Sequence, residues 1–396
     1  MIAPLSVRFR RACPRKRAEL LQARPQLSPL LAELLVARGY DCPERVDEFF
    51  CPTPDLFHDP MIFKGMREAV ALLREMLTQG EKILVHGDYD CDGICGTTLV
   101  YEALKELGAQ VSYYLPDRFQ DGYGLSARAV ELCHREGIAL LITVDCGSSS
   151  HGEIELAKEL GVKVIVTDHH AVPEVPPTPH ALVNPRQADC PYPFKGICGT
   201  GVAFKLVQAL TGTRGNEPRH LLDLVAVATG ADVVPLRDEN RVFVQYGLQE
   251  LSRECRVGFT ALLEVAGRPG REAVDSVTVG FTLGPRLNAA GRLEHAELGV
   301  RLLTSRSLSE SRVLAQHLDS LNEARKECER AIQDEIEARF KNEPSRYEDG
   351  VIVEWGEGWH EGVIGITAGR LAEKYGVPTL VISVKGEKAK GSGRSP

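Results

Sequence analysis

Between residues 80 and 170 the hydrophobic positions fall in short unbroken runs, separated by longer stretches with helical spacing. Lys82–His86 reads as a strand and Ile94–Leu107 as a helix; Val111–Leu115 reads as a second strand, with another helix from Ser126. Ala139–Asp145 and Val162–Thr167 are the third and fourth strands. The runs are apolar almost throughout rather than alternating, which is the pattern of parallel strands covered on both faces by crossover helices. A connection rich in proline (Pro173, Pro176, Pro177, Pro179) leads to helices around residues 200–230.

Further along, Leu314, Leu318, Leu321, Cys328, Ile332, Ile336 and Phe340 recur three, four or seven apart among charged positions. That spacing predicts one long amphipathic helix over 306–342. Its heptads do not persist, so it reads as a brace between two domains rather than a coiled coil. Val351–Trp355, a helix over Gly362–Lys374, and Thr379–Ser383 make one further βαβ-like unit. Ser28–Gly39 opens on Ser-Pro and closes on Gly, the signals of a helix start and stop. The predicted class is α/β. A helical arm (1–75) precedes a parallel-sheet domain (76–304); a long connecting helix (305–345) then leads to a second, smaller and incomplete α/β domain (346–396).

Composition bounds this picture. A chain of 396 residues exceeds one ordinary domain of about 100–200. Hydrophobic residues at 43% and charged residues at 26% suit a folded, water-soluble chain. No apolar run approaches the ~18 residues of a membrane span, so no membrane role is expected. At the N-terminus Arg8, Arg10 and Arg11 follow the apolar stretch instead of preceding it, unlike a secretory signal. The first 18 residues carry no acid; a surface N-terminus is the favoured reading over a transit peptide. Eleven cysteines without CxxC spacing argue against a disulfide framework or a zinc ribbon and for a reducing cytoplasm. The net charge of −8 looks wrong for a nucleic-acid binder, but several aspartates crowd into three short segments where bound cations would offset them.

The first of these segments, His86-Gly-Asp88-Tyr-Asp90-Cys-Asp92-Gly93, follows a strand and opens a helix. In a parallel sheet that is where ligands bind. Three carboxylates at alternate positions repel one another unless cations or donors offset the charge. An EF-hand fails here, because the loop starts on a strand and Leu99 stands where its closing Glu belongs. Asp145 ends the third strand and Asp168-His169-His170 the fourth. Singly, Asp145 reads as a cap of the following turn and His169 as a surface histidine; together, three neighbouring strand ends deliver acid or imidazole to one edge. Asp and His without paired thiolates suit a borderline-hard ion such as Mn²⁺. Asp232 is a fourth candidate, with Asp223 and Asp238 as competitors that spacing cannot separate. Cys91 and Cys146 read as packing residues, Cys91 turned away on an extended loop. Nothing demands a covalent nucleophile.

These segments resemble the DHH phosphoesterase superfamily and, within it, the bacterial exonucleases specific for single-stranded DNA. The resemblance rests on His86–Gly93, Val144–Gly147, Thr167–His170, Val183–Arg186, Gly199–Phe204, Thr229–Leu236, Gly284–Leu293 and Trp359–Gly365, in family order over nearly the whole chain. It implies 5′→3′ digestion of single-stranded DNA to 5′-mononucleotides in repair and recombination. It also implies two Mn²⁺ ions, with Mg²⁺ as the alternative, held by Asp90, Asp92, Asp145, His169 and Asp232, with Asp145 bridging. Asp88 would act from behind the ligands, His170 would face the scissile phosphate, and Asp168 would orient the His169 imidazole. Arg118, Ser392 and Arg394 would meet the terminal phosphate, Tyr123 would stack on a base, and Arg292 would reach the backbone. His360 receives no role.

The same resemblance implies a Gly-Gly-His motif and an OB-fold that this sequence lacks. The chain therefore reads as C-terminally truncated, with metal binding kept and strand-holding weakened. A monomer is expected, with a single-strand-binding protein and a helicase as partners. Two other readings stay open: a phosphoesterase acting on short oligonucleotides or small phosphate esters, and a non-catalytic scaffold of the same fold.

Overall fold

The apolar runs pair with one another in a computed structural model that describes residues 11–212, 218–268, 274–343 and 350–396. Arg8 and Arg10 of the basic N-terminal stretch lie outside the described residues. Strands β1 (Lys82–His86), β2 (Gln110–Tyr114), β3 (Leu140–Val144), β4 (Lys163–Thr167) and β5 (Ala181–Val183) form one sheet in the order β2-β1-β3-β4-β5. All its pairings are parallel, with Ile83 opposite both Val111 and Leu140, and Ile165 opposite Ala181.

Alternate strand residues enter two cores. Ile83, Val85, Leu140, Ile142 and Ile165 face one side, and Leu84, Leu141, Val164 and Val166 face the other. Burial on both faces holds for β3, whose five residues are all buried, but not for β2, where Val111 alone is buried. An edge strand has only one neighbour to exclude water. The short β5, flanked by prolines, has no counterpart in the predicted elements.

Helices α1 (Pro14–Ala23), α2 (Pro29–Ala37) and α3 (Pro43–Phe50) close a small core of their own around Leu20, Leu35 and Val46. The main core draws on α4 (Met66–Gln79) and α5 (Cys91–Glu106); α6 (Ala127–Glu136) and α7 (His151–Glu159) cover the sheet's opposite face. Beyond β5 come α8 (Gly199–Thr211), α9 (Leu222–Ala231), α10 (Glu239–Arg253) and α11 (Val257–Val265). A π-helical turn at Val279–Leu283 leads into α12 (Gly284–Leu293), followed by α13 (Glu297–Thr304).

The long helix is α14 (Leu308–Asn342). Its Leu314, Ala315 and Leu318 belong to the main core, while Ile332, Ile336 and Phe340 belong to the core of a second sheet. Between these two apolar stretches the sequence reading needs correction. Asn322, Arg325 and Glu329, which look like parts of a solvated face, are buried.

The second sheet pairs β6 (Ile352–Glu357) in parallel with β7 (Thr379–Lys385), which pairs antiparallel with β8 (Lys388–Arg394). Helix α15 (Ile364–Tyr375) packs on one face. The predicted elements stop at β7. Lys388–Arg394 has no apolar residue but Ala389 and takes its extended form from pairing with β7.

In the five-stranded sheet the chain runs outward from β1 to β2, then crosses back to β3 on the other side. The crevice at this reversal, beyond the carboxyl ends of β1 and β3, is where such sheets bind ligands.

Candidate active site

The loop after β1 is built by its own carboxylates. Asp90 Oδ1 accepts from the backbone N–H of Asp92 (2.9 Å) and Gly93 (3.1 Å), capping α5. The helix therefore starts at Cys91, ahead of the expected Ile94, and Cys91 lies in its first turn rather than on an extended loop. It is buried against Cys95, as packing predicts. The Asp92 carboxylate accepts from the N–H groups of Gly199 and Thr200, both at 2.7 Å, so the N-terminal end of α8 faces its charge. Two glycines permit this convergence. A Cβ on Gly93 would stand 2.4 Å from the Asp88 carbonyl oxygen, and one on Gly199 would stand 2.5 Å from Asp145 Oδ1.

At the end of β3, Asp145 turns into the left-handed region at φ 64°. The following helix, α7, begins only at His151, so Asp145 does not cap it. At the end of β4, Asp168 Oδ1 accepts from the backbone N–H of His169 (2.7 Å) and His170 (3.1 Å) and from His170 Nδ1 (2.9 Å). Its Oδ2 accepts from the Ser148 N–H at 2.9 Å. Asp168 thus orients the imidazole of His170, not that of His169 as the sequence suggested. Neighbours in sequence project to opposite sides of an extended chain, so only one imidazole can turn back onto the carboxylate.

His169 turns the other way. Its Nε2 lies 3.0 Å from Asp145 Oδ1, 3.7 Å from Asp92 Oδ2 and 3.9 Å from Asp232 Oδ2. The competitors for the Asp232 position are engaged elsewhere: Asp223 pairs with Arg256 at 3.0 Å and Asp238 with His58 at 2.8 Å. Ligand atoms lie within 4.8 Å of one another in three overlapping groups: Asp88, Asp90 and Asp145; Asp92, His169 and Asp232; and Asp145, His169 and His170. Asp88 therefore stands beside Asp90 and Asp145, on the same footing as the expected ligands.

The electrostatics are those of an anion cluster without its counter-charge. Burial and neighbouring carboxylates push Asp88, Asp90 and Asp145 upward and Asp232 up to about 7. Burial would also raise Asp168, but the hydrogen bond and charge of His170, with the N–H groups around it, hold it at about 2. The same hydrogen bond raises His170, while burial lowers His169. Asp88 Oδ1, Asp145 Oδ1 and His169 Nδ1 are buried with no hydrogen-bond partner among the described residues. Converging carboxylates and a neutral imidazole with unsatisfied buried atoms fit divalent cations of the Mn²⁺ or Mg²⁺ kind.

Around this centre lie the expected substrate residues. Arg118 sits 4.8 Å over the Tyr89 ring. Its loop is folded by Asp121, which accepts from the Tyr114 hydroxyl and the Asp117 N–H, both at 2.9 Å. Tyr123 is 57% exposed, and its hydroxyl lies 3.1–3.2 Å from the two ring nitrogens of His170. Arg292 is held by the Gly362 carbonyl at 3.3 Å. Ser392 and Arg394, on β8, flank the first turn of α15, where a Cβ on Gly365 would stand 3.0 Å from Ser392 Oγ and 3.4 Å from Arg394 Nη2. His360, just before α15, meets the Phe119 ring edge-on at 5.6 Å, linking the Arg118 loop to the second sheet.

The profile described as "DHH family, N-terminal domain" matches residues 82–229. The single-stranded-DNA-specific exonuclease RecJ of Bacillus subtilis is 43% identical over 372 residues, covering 93% of this chain and 46% of that protein. RecJ of Salmonella typhimurium is 39% identical over 401 residues, covering 96% of this chain and 68% of that protein. This chain belongs to the RecJ family. It spans about half the length of the Bacillus relative and two thirds of the Salmonella one. The crystal structure of Thermus thermophilus RecJ with Mn²⁺ superposes with a TM-score of 0.82 at 35% identity, covering 98% of this chain and 54% of that one.

In this RecJ-family chain the sequence reading passed over several residues that build the site. Asn184, fully buried, donates to Ser148 Oγ (2.8 Å) and to the His170 carbonyl (3.0 Å) and accepts from the Arg186 N–H (2.8 Å). It ties the ends of β3, β4 and β5 together. Asn288 Oδ1 accepts from the Cys91 N–H at 2.9 Å, fixing the start of α5 to α12. Both lie in segments singled out for their resemblance, which was the available signal.

A second group of acid and imidazole, His58, Asp238 and Glu239, lies away from the strand ends. There Glu239 is paired with the buried Lys205 ammonium and accepts from the Tyr192 hydroxyl and the His58 N–H. This cluster already contains its cation.

Proposed function

We propose that this chain is the core of a metal-dependent 5′→3′ exonuclease that hydrolyses single-stranded DNA to 5′-mononucleotides in cytoplasmic DNA repair and recombination. The observation that carries the reading is the convergence of Asp88, Asp90, Asp92, Asp145, Asp232 and His169 at the β1/β3 reversal, where Asp88 Oδ1 and Asp145 Oδ1 have no hydrogen-bond partner among the described residues. Two Mn²⁺ ions, or the Mg²⁺ of another Thermus thermophilus RecJ structure, fit there. Asp88, Asp90 and Asp145 would hold one cation, and Asp92, His169 and Asp232 the other. Two such cations, when bound, lower the pKa of a shared water and stabilise the attacking and leaving oxygens of an in-line displacement.

The protein's own groups do the rest. Asp168 holds His170 through Nδ1, favouring its protonated form, so that Nε2 can present a proton to a phosphate oxygen at the cleft. Tyr123 offers an exposed ring for a base, a stacking contact worth about 1–3 kcal/mol and tolerant of sequence. Arg118, Arg292, Ser392 and Arg394 supply the cationic and hydroxyl donors that phosphates require. The working unit is a monomer, to which a single-strand-binding protein and a helicase would present the strand.

Digestion of end-labelled single-stranded DNA in Mn²⁺, beside a duplex and an Asp145→Asn control, tests the reading. Release of 5′-mononucleotides from the single strand alone, lost in the control, is expected. Cleavage of dinucleotides but not longer strands would favour the short-oligonucleotide reading. Mn²⁺ binding without cleavage of either would leave a scaffold.

A further inference from the structure

Tyr123 sits on a short free span between two anchors. On one side Asp121 fastens the Arg118 loop, accepting from the Tyr114 hydroxyl and the Asp117 N–H, both at 2.9 Å. On the other, Leu125 and Ser126 are buried, and Ser126 Oγ accepts from the Ala129 N–H at 3.2 Å to cap α6. Between them Tyr123 is flanked by Gly122 at φ 84° and Gly124 at φ 92°. A Cβ on Gly122 would meet nothing within 4 Å, so close packing does not require the glycine. Two glycines around one residue give the backbone the freedom of a hinge. The aromatic ring they carry is exposed.

The hydroxyl of that ring is engaged. It lies 3.1 Å from His170 Nε2 and 3.2 Å from Nδ1, while the ring meets Tyr89 edge-on at 6.3 Å. Nδ1 is held by Asp168 at 2.9 Å, and Asn184 donates to the His170 carbonyl at 3.0 Å. Nε2 is therefore the nitrogen left for a phosphate, and the Tyr123 hydroxyl stands beside it. A ring nitrogen makes one good hydrogen bond, so hydroxyl and phosphate compete for the same place. The imidazole is fixed at its ring and at its backbone. The tyrosine, between its glycines, is the partner free to leave.

We propose that Tyr123 is a specificity-determining residue: its hydroxyl covers the cleft-facing nitrogen of His170 until a nucleobase stacks on its ring and draws the side chain away. Turnover is thereby reserved for strands that bring a base to this position. The base in question is that of the 5′-terminal nucleotide, because Tyr123 extends from the Arg118 loop and ends beside His170. Ring and hydroxyl have separate tasks, one in capturing the strand and one in withholding the imidazole from small phosphate esters, which have no base to offer. The inference rests on the exonuclease reading for its substrate.

The test is single-turnover release of the 5′-terminal residue in Mn²⁺, measured across enzyme concentrations. Two 5′-phosphorylated strands are compared, one ending in thymidine and one in a tetrahydrofuran residue that keeps the phosphates and omits the base. Tyr123→Phe keeps the ring and removes the hydroxyl. The wild-type limiting rate should be about 10-fold lower on the tetrahydrofuran end, a factor within reach of one base–aromatic stack, and the half-saturating concentration higher. In Tyr123→Phe the difference in limiting rate should shrink to under about twofold, while the difference in half-saturation, which reads the stack, persists. The variant should also cut the tetrahydrofuran end faster than the wild-type chain does.

Equal limiting rates on the two ends in the wild-type chain would overturn the proposal, as would a rate ratio that Tyr123→Phe leaves unchanged. A variant slowed on both ends would make the hydroxyl a helper rather than a cover and would overturn it too. If the wild-type chain cuts neither end, the exonuclease reading falls and takes the proposal with it. If it cuts both ends alike, the proposal alone falls.

Discussion

Among the described residues, carboxylate and imidazole gather at two places, and one of these lacks a cation of its own. At His58, Asp238 and Glu239 the Lys205 ammonium and the Tyr192 hydroxyl complete the charge and hydrogen bonding of Glu239. At the β1/β3 reversal the aspartates meet backbone N–H groups and imidazoles, yet among the described residues Asp88 Oδ1 and Asp145 Oδ1 have no hydrogen-bond partner, the nearest group to Asp145 Oδ1 being the His169 imidazole at 3.0 Å. Residue types do not separate the two clusters. What separates them is whether the polypeptide supplies the counter-charge, so a cluster left open is the better candidate for a metal than one that is merely acidic.

Four substitutions would break or sharpen this contrast. Asp145→Asn keeps the shape and tolerates the left-handed backbone, and should lower Mn²⁺-dependent digestion by at least about 10³-fold while abolishing the rise in melting temperature on adding Mn²⁺. Lys205→Met should leave the buried Glu239 carboxylate without its cation, costing about 3–5 kcal/mol in urea unfolding. The Mn²⁺ midpoint of its folded fraction should stay at the wild-type value; a shift would show that the two clusters are coupled. Gly199→Ala pushes a methyl group against Asp145 and should weaken Mn²⁺ binding by about 10–100-fold by calorimetry, the usual scale for disturbing the surroundings of a ligand. His58→Ala removes a half-exposed pair with Asp238 and should cost under about 1 kcal/mol, with no effect on digestion.

The sheet was legible because β1, β3 and β4 are buried on both faces and so carry unbroken apolar runs. β8 was not, because Lys388–Arg394 owes its form to β7 rather than to its own residues. The aspartate loop and the Asp-His-His segment could be placed at strand ends from spacing alone. Which imidazole Asp168 would take could not, since that depends on the direction the chain leaves β4. Spacing left Asp232 among three candidates and the resemblance named it; the end of α9 brings it within 3.9 Å of His169. The start of α5 was misplaced because Asp90 is both a candidate ligand and a helix cap, and the sequence shows only the residue. Asn322, Arg325 and Glu329 were read as solvated because charge suggests water; the close approach of α12 and α15 is what buries them.

The left-handed turn at Asp145 would set expression yield against metal binding at a single codon. Glycine there adopts the left-handed conformation without a Cβ conflict, and would also remove one charge from a mutually repelling group. In the metal-free chain such a variant should be sturdier than the parent and unable to hold a cation. A screen that rewards only soluble expression would drift toward it, whereas a screen that requires DNA to be processed would hold the aspartate in place.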